Sequence, residues 1–154
     1  MIIQVLGAFV AVITAATILS VPKKFLLAAG SISAVSWFVY LICRNFEFSV
    51  AMSTLSATLV IAFISHVLAR AFKAPVTLFL IPGILPLVPG INTYRIAYYL
   101  IQEDAAQASN YFNMTLQVAG MIAIGVFIMD TIFRIYITIH SSKKQKNTVE
   151  LDKK

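Results

Sequence analysis

PVTLFLIPGILPLVPGINTYR, residues Pro75 to Arg95, is apolar enough for a bilayer, yet it holds Pro75, Pro82, Pro86 and Pro89 together with Gly83 and Gly90. Each interior proline removes one backbone hydrogen bond and presses its ring on the preceding turn, at a cost of about 3 kcal/mol. A continuous helix through this stretch is therefore excluded. Hydrocarbon offers the freed amides and carbonyls no partner, so broken backbone at membrane depth is tolerated only where it is packed in protein or lines a polar cavity. A cavity with loose peptide groups is a place to hold a solute, and discontinuous helices of this kind build binding sites near the bilayer midplane in many secondary transporters.

The rest of the composition agrees with a membrane setting. Of 154 residues 60% are hydrophobic and 12% charged, and the mean hydropathy is +0.89. A soluble domain of this size cannot hide so much apolar surface, so an all-α integral membrane bundle is expected, with residues 1–140 as a single transmembrane domain. The lone cysteine, Cys43, excludes an internal disulfide and a thiolate metal site. The formal charge of +6 is carried by residues at helix ends and in the tail, a pattern of topology signals and not of nucleic-acid binding.

Outward from the broken stretch, helical runs can be read in both directions. Ile2 to Val21 is long enough to span and is closed by Pro22-Lys23-Lys24; no basic region precedes it, so it is read as a span and not as a cleaved leader. Gly7, Ala11 and Ala15 give it a small-residue face, continued in the second span, Phe25 to Cys43, by Gly30 and Ala34. Trp37 and Tyr40 suit the far interface. In the third span, Ser49 to Ala69, residues Thr54, Thr58, Ala62, Ser65 and Ala69 share one face, which should look inward, either bonding between helices or lining a solute path. Beyond the break, Asn92 to Ala108 reads as an amphipathic helix lying along the interface. Asn110 is the expected cap of a last helix from Tyr111 to Ile139, and Ser141 to Lys154 is expected to be a disordered basic tail touching anionic lipid.

Charge decides whether the broken segment crosses. If it crosses, Lys23, Lys24, Arg70, Lys73 and the tail lysines Lys143, Lys144 and Lys146 share one side, leaving Arg44, Glu47, Arg95, Glu103 and Asp104 on the other. A re-entrant segment destroys this bias. The expectation is thus five membrane segments, the fourth broken, in the cell membrane, with the N-terminus outside and the C-terminus cytoplasmic.

Chemistry-bearing constellations are scarce. The sequence holds no phosphate-cradling glycine loop with lysine, no Gly-x-Ser-x-Gly, no His-Glu-x-x-His and no pair of intramembrane carboxylates. No enzyme activity, cofactor or metal is expected. His66 and His140 read as interfacial side chains, and Asp130 and Arg134, one turn apart, as a salt-bridged anchor or a proton relay. A helix restarting after Pro89-Gly90 points amides and a positive dipole end at Asn92, Thr93 and Tyr94, a seat for a carboxylate. Arg95 lies in the same turn, where its guanidinium either holds that carboxylate in bidentate fashion or anchors an interfacial helix. The candidate substrate-binding set is Pro82, Gly83, Pro86, Pro89, Gly90, Asn92, Thr93, Tyr94 and Arg95 with Gln117 from the last helix.

The run from Ile81 to Gly90, IPGILPLVPG, followed by Tyr94-Arg95, resembles the signature of the threonine/serine exporter family, and more narrowly the small YjjB-like membrane subunit of its split members. The resemblance implies an exporter of small carboxylate metabolites, amino acids in some members and succinate-like dicarboxylates in others. It also implies a larger membrane subunit as partner, in a hetero-oligomer; a homo-oligomer is the other arrangement that completes a two-repeat site. The competing reading is a structural or regulatory membrane subunit through which no solute passes.

Overall fold

The computed structural model describes the backbone of residues 1–151 and the side chains of residues 1–139 except 137. Among the described residues the ordered elements are helices: α1 (Ile2–Ile18), α2 (Lys23–Asn45), α3 (Val50–Ala71), α4 (Thr77–Ile84), a 3-10 turn (Leu85–Leu87), α5 (Gly90–Ile101) and α6 (Ala105–Leu151). The tail expected over 141–154 falls on residues 152–154, outside the described residues, and on 141–151, of which the backbone alone is described.

Three helices are long and apolar enough to cross a membrane, Lys23–Asn45, Val50–Ala71 and the Ala105–Tyr136 portion of α6; the pair Thr77–Leu87 and Gly90–Ile101 makes a fourth if taken as one span, bent by 48°. Helix α1, with 17 residues, is about 25 Å long. It stops at Ile18, short of the expected Val21, because Ser20 turns into the left-handed region (φ 58°) and Val21 donates its amide back to the Ala16 carbonyl at 3.0 Å. The same closure ends three more helices. Glu47, Lys73 and Glu103 have positive φ, and the next residues, Phe48, Ala74 and Asp104, bond back to Cys43, Ala69 and Tyr99 at 2.8–3.1 Å. These are Schellman closures made without glycine, each accepting about 1–2 kcal/mol of backbone cost to satisfy a terminal carbonyl.

This closure corrects the reading of residues 92–111. The helix expected over Asn92–Ala108 runs from Gly90 to Ile101 and ends in the Glu103 turn. The last helix does not wait for Asn110: Asp104 caps it, its Oδ1 accepting from the Gln107 amide at 3.0 Å. An aspartate here satisfies one orphan amide and places negative charge at the positive end of the dipole, which Asn110, a turn too late, does not.

The core gathers α1 to α4. Phe79 of α4 is fully buried between Phe25, at 5.3 Å between ring centroids, and Phe72, at 6.1 Å. Around these rings lie Val12, Ala16, Ala29, Ile32, Ala57, Ile61, Ala69 and Leu87. On α3 the expected inward face is observed in full, since Thr54, Thr58, Ala62, Ser65 and Ala69 are all buried. Thr54 and Thr58 turn their hydroxyls onto Val50 and Thr54 carbonyls of their own helix. On α1 the packed face is Ala8, Val12 and Ala16, one residue on from the expected Gly7, Ala11 and Ala15; a β-carbon on Gly7 meets nothing within 4 Å.

Helices α3 and α6 run parallel. Gly125 meets Thr58, Phe63 packs on Phe133 at 5.8 Å, and Arg70 lies 5.7 Å from the Tyr136 ring, so residue numbers rise together along the two helices. Helix α5 packs chiefly along α6 and contributes no buried residue.

Candidate functional site

The break is confined to residues 85–89. Pro82 sits inside α4, buried, and the helix continues past it to Ile84 before the 3-10 turn with Pro86, an extended Val88 (ψ 129°) and Pro89 as the cap of α5. Gly83 is not at the break either. It is where α4 presses on its neighbours, for a β-carbon there stands 3.0 Å from Ile61 Cγ2 and 3.3 Å from Ile32 Cγ2. Pro82 and Gly83 therefore seat α4 against its neighbours, and neither lines the hollow described below.

At the restart no side chain caps α5. The Gly90 amide donates to the Val88 carbonyl at 2.8 Å and the Thr93 amide to Pro89 at 3.0 Å. Helix geometry thus leaves the amides of Ile91 and Asn92 as the orphan donors, one residue earlier at the start than the expected Asn92–Tyr94 set and sharing Asn92 with it. The Thr93 hydroxyl returns to the Pro89 carbonyl, and Tyr94 is exposed, stacked 6.3 Å from Tyr98. Neither borders the hollow described next.

Two adjoining cavities open beside the break. The larger, about 570 Å³, is bordered by Tyr40 of α2, Ser49 to Ala51 at the start of α3, Asn92 and Arg95 of α5, and Tyr111, Met114, Gln117 and Val118 of α6. The smaller, about 120 Å³, lies between Trp37, Tyr40, Thr54, Pro86, Leu87, Pro89 and Asn92. The structure so brings together Pro86, Pro89, Asn92, Arg95 and Gln117, five of the ten residues singled out from sequence. Gly90 lies next to them, exposed, with open space where a side chain would stand.

Arg95 is the one charged group on these walls. Its Nη1 donates to the Tyr111 hydroxyl at 3.0 Å, and its guanidinium lies 5.1 Å from the Tyr111 ring centre. Tyr111 is itself braced by Tyr99, stacked at 5.4 Å with 7° between the planes. A guanidinium has five N–H donors, so the tyrosine contact leaves most of the fork available while fixing its position. Trp37 and Tyr40 stack at 5.0 Å and both border the smaller cavity, with Tyr40 bordering the larger one too. Tyr40, Ser49, Tyr111 and Met114 were not among the sequence candidates. Tyr111 carried a signal, lying sixteen residues beyond Arg95 across a helical hairpin, but that signal depends on a helix start at Ala105.

Elsewhere, Asp130 and Arg134 pair as their spacing predicts, at 3.3 Å. His66 is buried between helices, stacked on Phe133 at 4.5 Å, with Nε2 3.5 Å from Asp130 Oδ1. Among the described residues no group of three or more His, Cys, Asp or Glu side chains is arranged to hold a metal ion.

Long apolar helices, a proline-broken segment and a hollow walled by amides, hydroxyls and one guanidinium define a multi-pass helical membrane protein of transporter type. Residues 4–132 match the family model described as Threonine/Serine exporter, ThrE, and the chain belongs to that family. No curated protein and no solved structure matches it.

Proposed function

We propose that this chain is a subunit of a secondary exporter of small amino acids, with the hollow beside the break forming part of the solute site. Family membership supports amino-acid export. The observation that carries the site is Arg95, held by Tyr111 and facing a cavity into which the Ile91 and Asn92 amides of the helix start also belong by sequence position. A carboxylate seated there meets a bidentate cation and the positive end of α5, while Asn92, Gln117 and the hydroxyls of Tyr40, Ser49 and Tyr111 are on hand for amino and hydroxyl groups. The stacked Trp37 and Tyr40 offer a face to an ammonium group. A succinate-like dicarboxylate is the poorer fit, because these walls supply one cation for two negative charges.

The parallel course of α3 and α6 supports five membrane segments with a crossing fourth. Two spans that run the same way require the chain between them, residues 72–104, to return through the full thickness, and α4, the 3-10 turn and α5 are the elements available to do so. A re-entrant dip leaves α3 and α6 antiparallel. With the positive side cytoplasmic, the proposed arrangement has the N-terminus outside, the C-terminus inside and the hollow toward the outer half of the cell membrane.

A single broken helix supplies half of a rocking two-repeat site. We infer that a second membrane chain, the larger subunit of the same exporter, supplies the other half. The test is efflux of labelled threonine and succinate from cells with both chains, with this chain deleted, and with Arg95→Ala. Threonine efflux that falls on deletion and again with Arg95→Ala at unchanged expression is the expected result; efflux indifferent to Arg95→Ala removes the site assignment.

A further inference from the structure

The same two helices that wall the cavity meet again at their other ends, around His66. From Val50 to His66 helix α3 climbs about 24 Å. There the imidazole is buried, stacked face to face on Phe133, with Nε2 3.5 Å from Asp130 Oδ1. The other carboxylate oxygen, Oδ2, accepts from Arg134 Nη2 at 3.3 Å within α6. Arg70, one turn along α3, lies over the Phe133 ring at 4.6 Å. Arg70 is a like charge that opposes an imidazolium here; of the remaining elements packed on α3, α4 has no titratable residue, and α2 carries Lys23, Lys24, Tyr40, Cys43 and Arg44, with Lys24 lying over Phe25 and Tyr40 bordering the distant cavity.

Between the two ends the helices touch closely, Gly125 against Thr58. The arrangement pairs one side chain able to gain a proton with one close helix–helix contact between it and the cavity. With a neutral imidazole, Asp130 is satisfied inside its own helix by Arg134. When Nε2 takes a proton from water, an imidazolium faces Oδ1 and an ion pair forms between helices, drawing α3 onto α6 at this end.

We propose that His66 and Asp130 form a proton-operated clamp between α3 and α6, whose closure changes the cavity bordered by Trp37, Tyr40 and Arg95 at the other end of the same helix pair. Protonation and solute occupancy are then linked, and by reciprocity solute changes the proton affinity of His66 as much as the proton changes solute affinity. The clamp rests on the proposed solute site only for this last statement.

Trp37, the single tryptophan, borders the smaller cavity and reports on it directly. The experiment uses the full chain in lipid nanodiscs with His140→Gln, leaving His66 as the one histidine. The ring nitrogens of labelled His66 and the Trp37 emission are followed from about pH 5 to 8. The expected result is one titration seen by both probes with a common midpoint, abolished at Trp37 by His66→Gln. Asp130→Asn, which keeps the shape of the side chain, weakens proton binding by His66 and shifts its midpoint to lower pH. A Trp37 titration that survives His66→Gln, or a His66 midpoint unmoved by Asp130→Asn, overturns the clamp. Added threonine that leaves the midpoint in place while both probes still titrate together overturns the solute site and spares the clamp.

Discussion

Gly125 lies so close to Thr58 that a β-carbon built on it stands 2.9 Å from Thr58 Cγ2 and 3.0 Å from Thr58 Cβ. This contact fixes how near α6 comes to α3, the parallel pair on which the proposed crossing of residues 72–104 rests. Small residues allow such approach in lipid, where association rests on packing and not on a hydrophobic drive. Gly125→Ala should therefore strain the pair, lowering stability by about 1–3 kcal/mol, as overpacking does. Thr58→Ser removes the nearer methyl and should recover part of the loss. The check is thermal unfolding in detergent of the two single variants and the double variant; additive effects mean the two residues do not press on each other.

The proposed crossing of the broken segment predicts opposite exposure for residues on its two sides. In a Cys43→Ser background, Lys73→Cys and Glu103→Cys should react with a membrane-impermeant maleimide from different sides, Glu103→Cys in intact cells and Lys73→Cys after permeabilisation. Labelling of both from one side marks a re-entrant segment and removes the five-span arrangement.

How much of this was legible in the sequence follows from where the signals lie. The buried hydroxyl face of α3 was readable because Thr54, Thr58, Ser65 and their small neighbours recur at helical spacing, and packing then obeys the pattern. The proline run located the break to within a few residues, but not that Pro82 stays inside a helix, buried in the packing of α4. Helix ends were the weak point. Four closures use Ser20, Glu47, Lys73 and Glu103 in a conformation ordinarily marked by glycine, so nothing in the residue types announced the turn between α5 and α6. From that one error Tyr111 was misplaced, and with it the partner that holds Arg95. The His66 contact was out of reach for a different reason: it needs the register of α3 against α6, which no local pattern encodes.

Asp104 stands at the start of α6 with its carboxylate on the Gln107 amide, so its removal should be felt at the hairpin that carries Arg95 and Tyr111. Asp104→Ala should lower stability by about 1 kcal/mol, and Asp104→Asn, which still caps, by less. Detergent unfolding midpoints rank the three proteins; equal losses for the two substitutions mean that charge and not capping is at stake.

Arg95 and Tyr111 make the sharpest demand, because the two can be separated by degree. If the guanidinium holds the solute carboxylate, Arg95→Ala loses a charged hydrogen bond of about 1.5–3 kcal/mol, or roughly ten- to more than a hundredfold in apparent affinity for exported amino acid. Arg95→Lys keeps the charge without the fork and should recover only part of this. Tyr111→Phe retains the ring beneath the guanidinium and deletes the hydroxyl 3.0 Å from Nη1, so it should cost about 0.5–1.5 kcal/mol and leave the preference among amino acids unchanged. Export kinetics over a range of internal threonine concentrations measure all three. Arg95→Lys matching wild type would mean that a point charge suffices and that the directional reading of the fork is mistaken, while a Tyr111→Phe loss as large as that of Arg95→Ala would make the tyrosine hydroxyl a direct solute ligand.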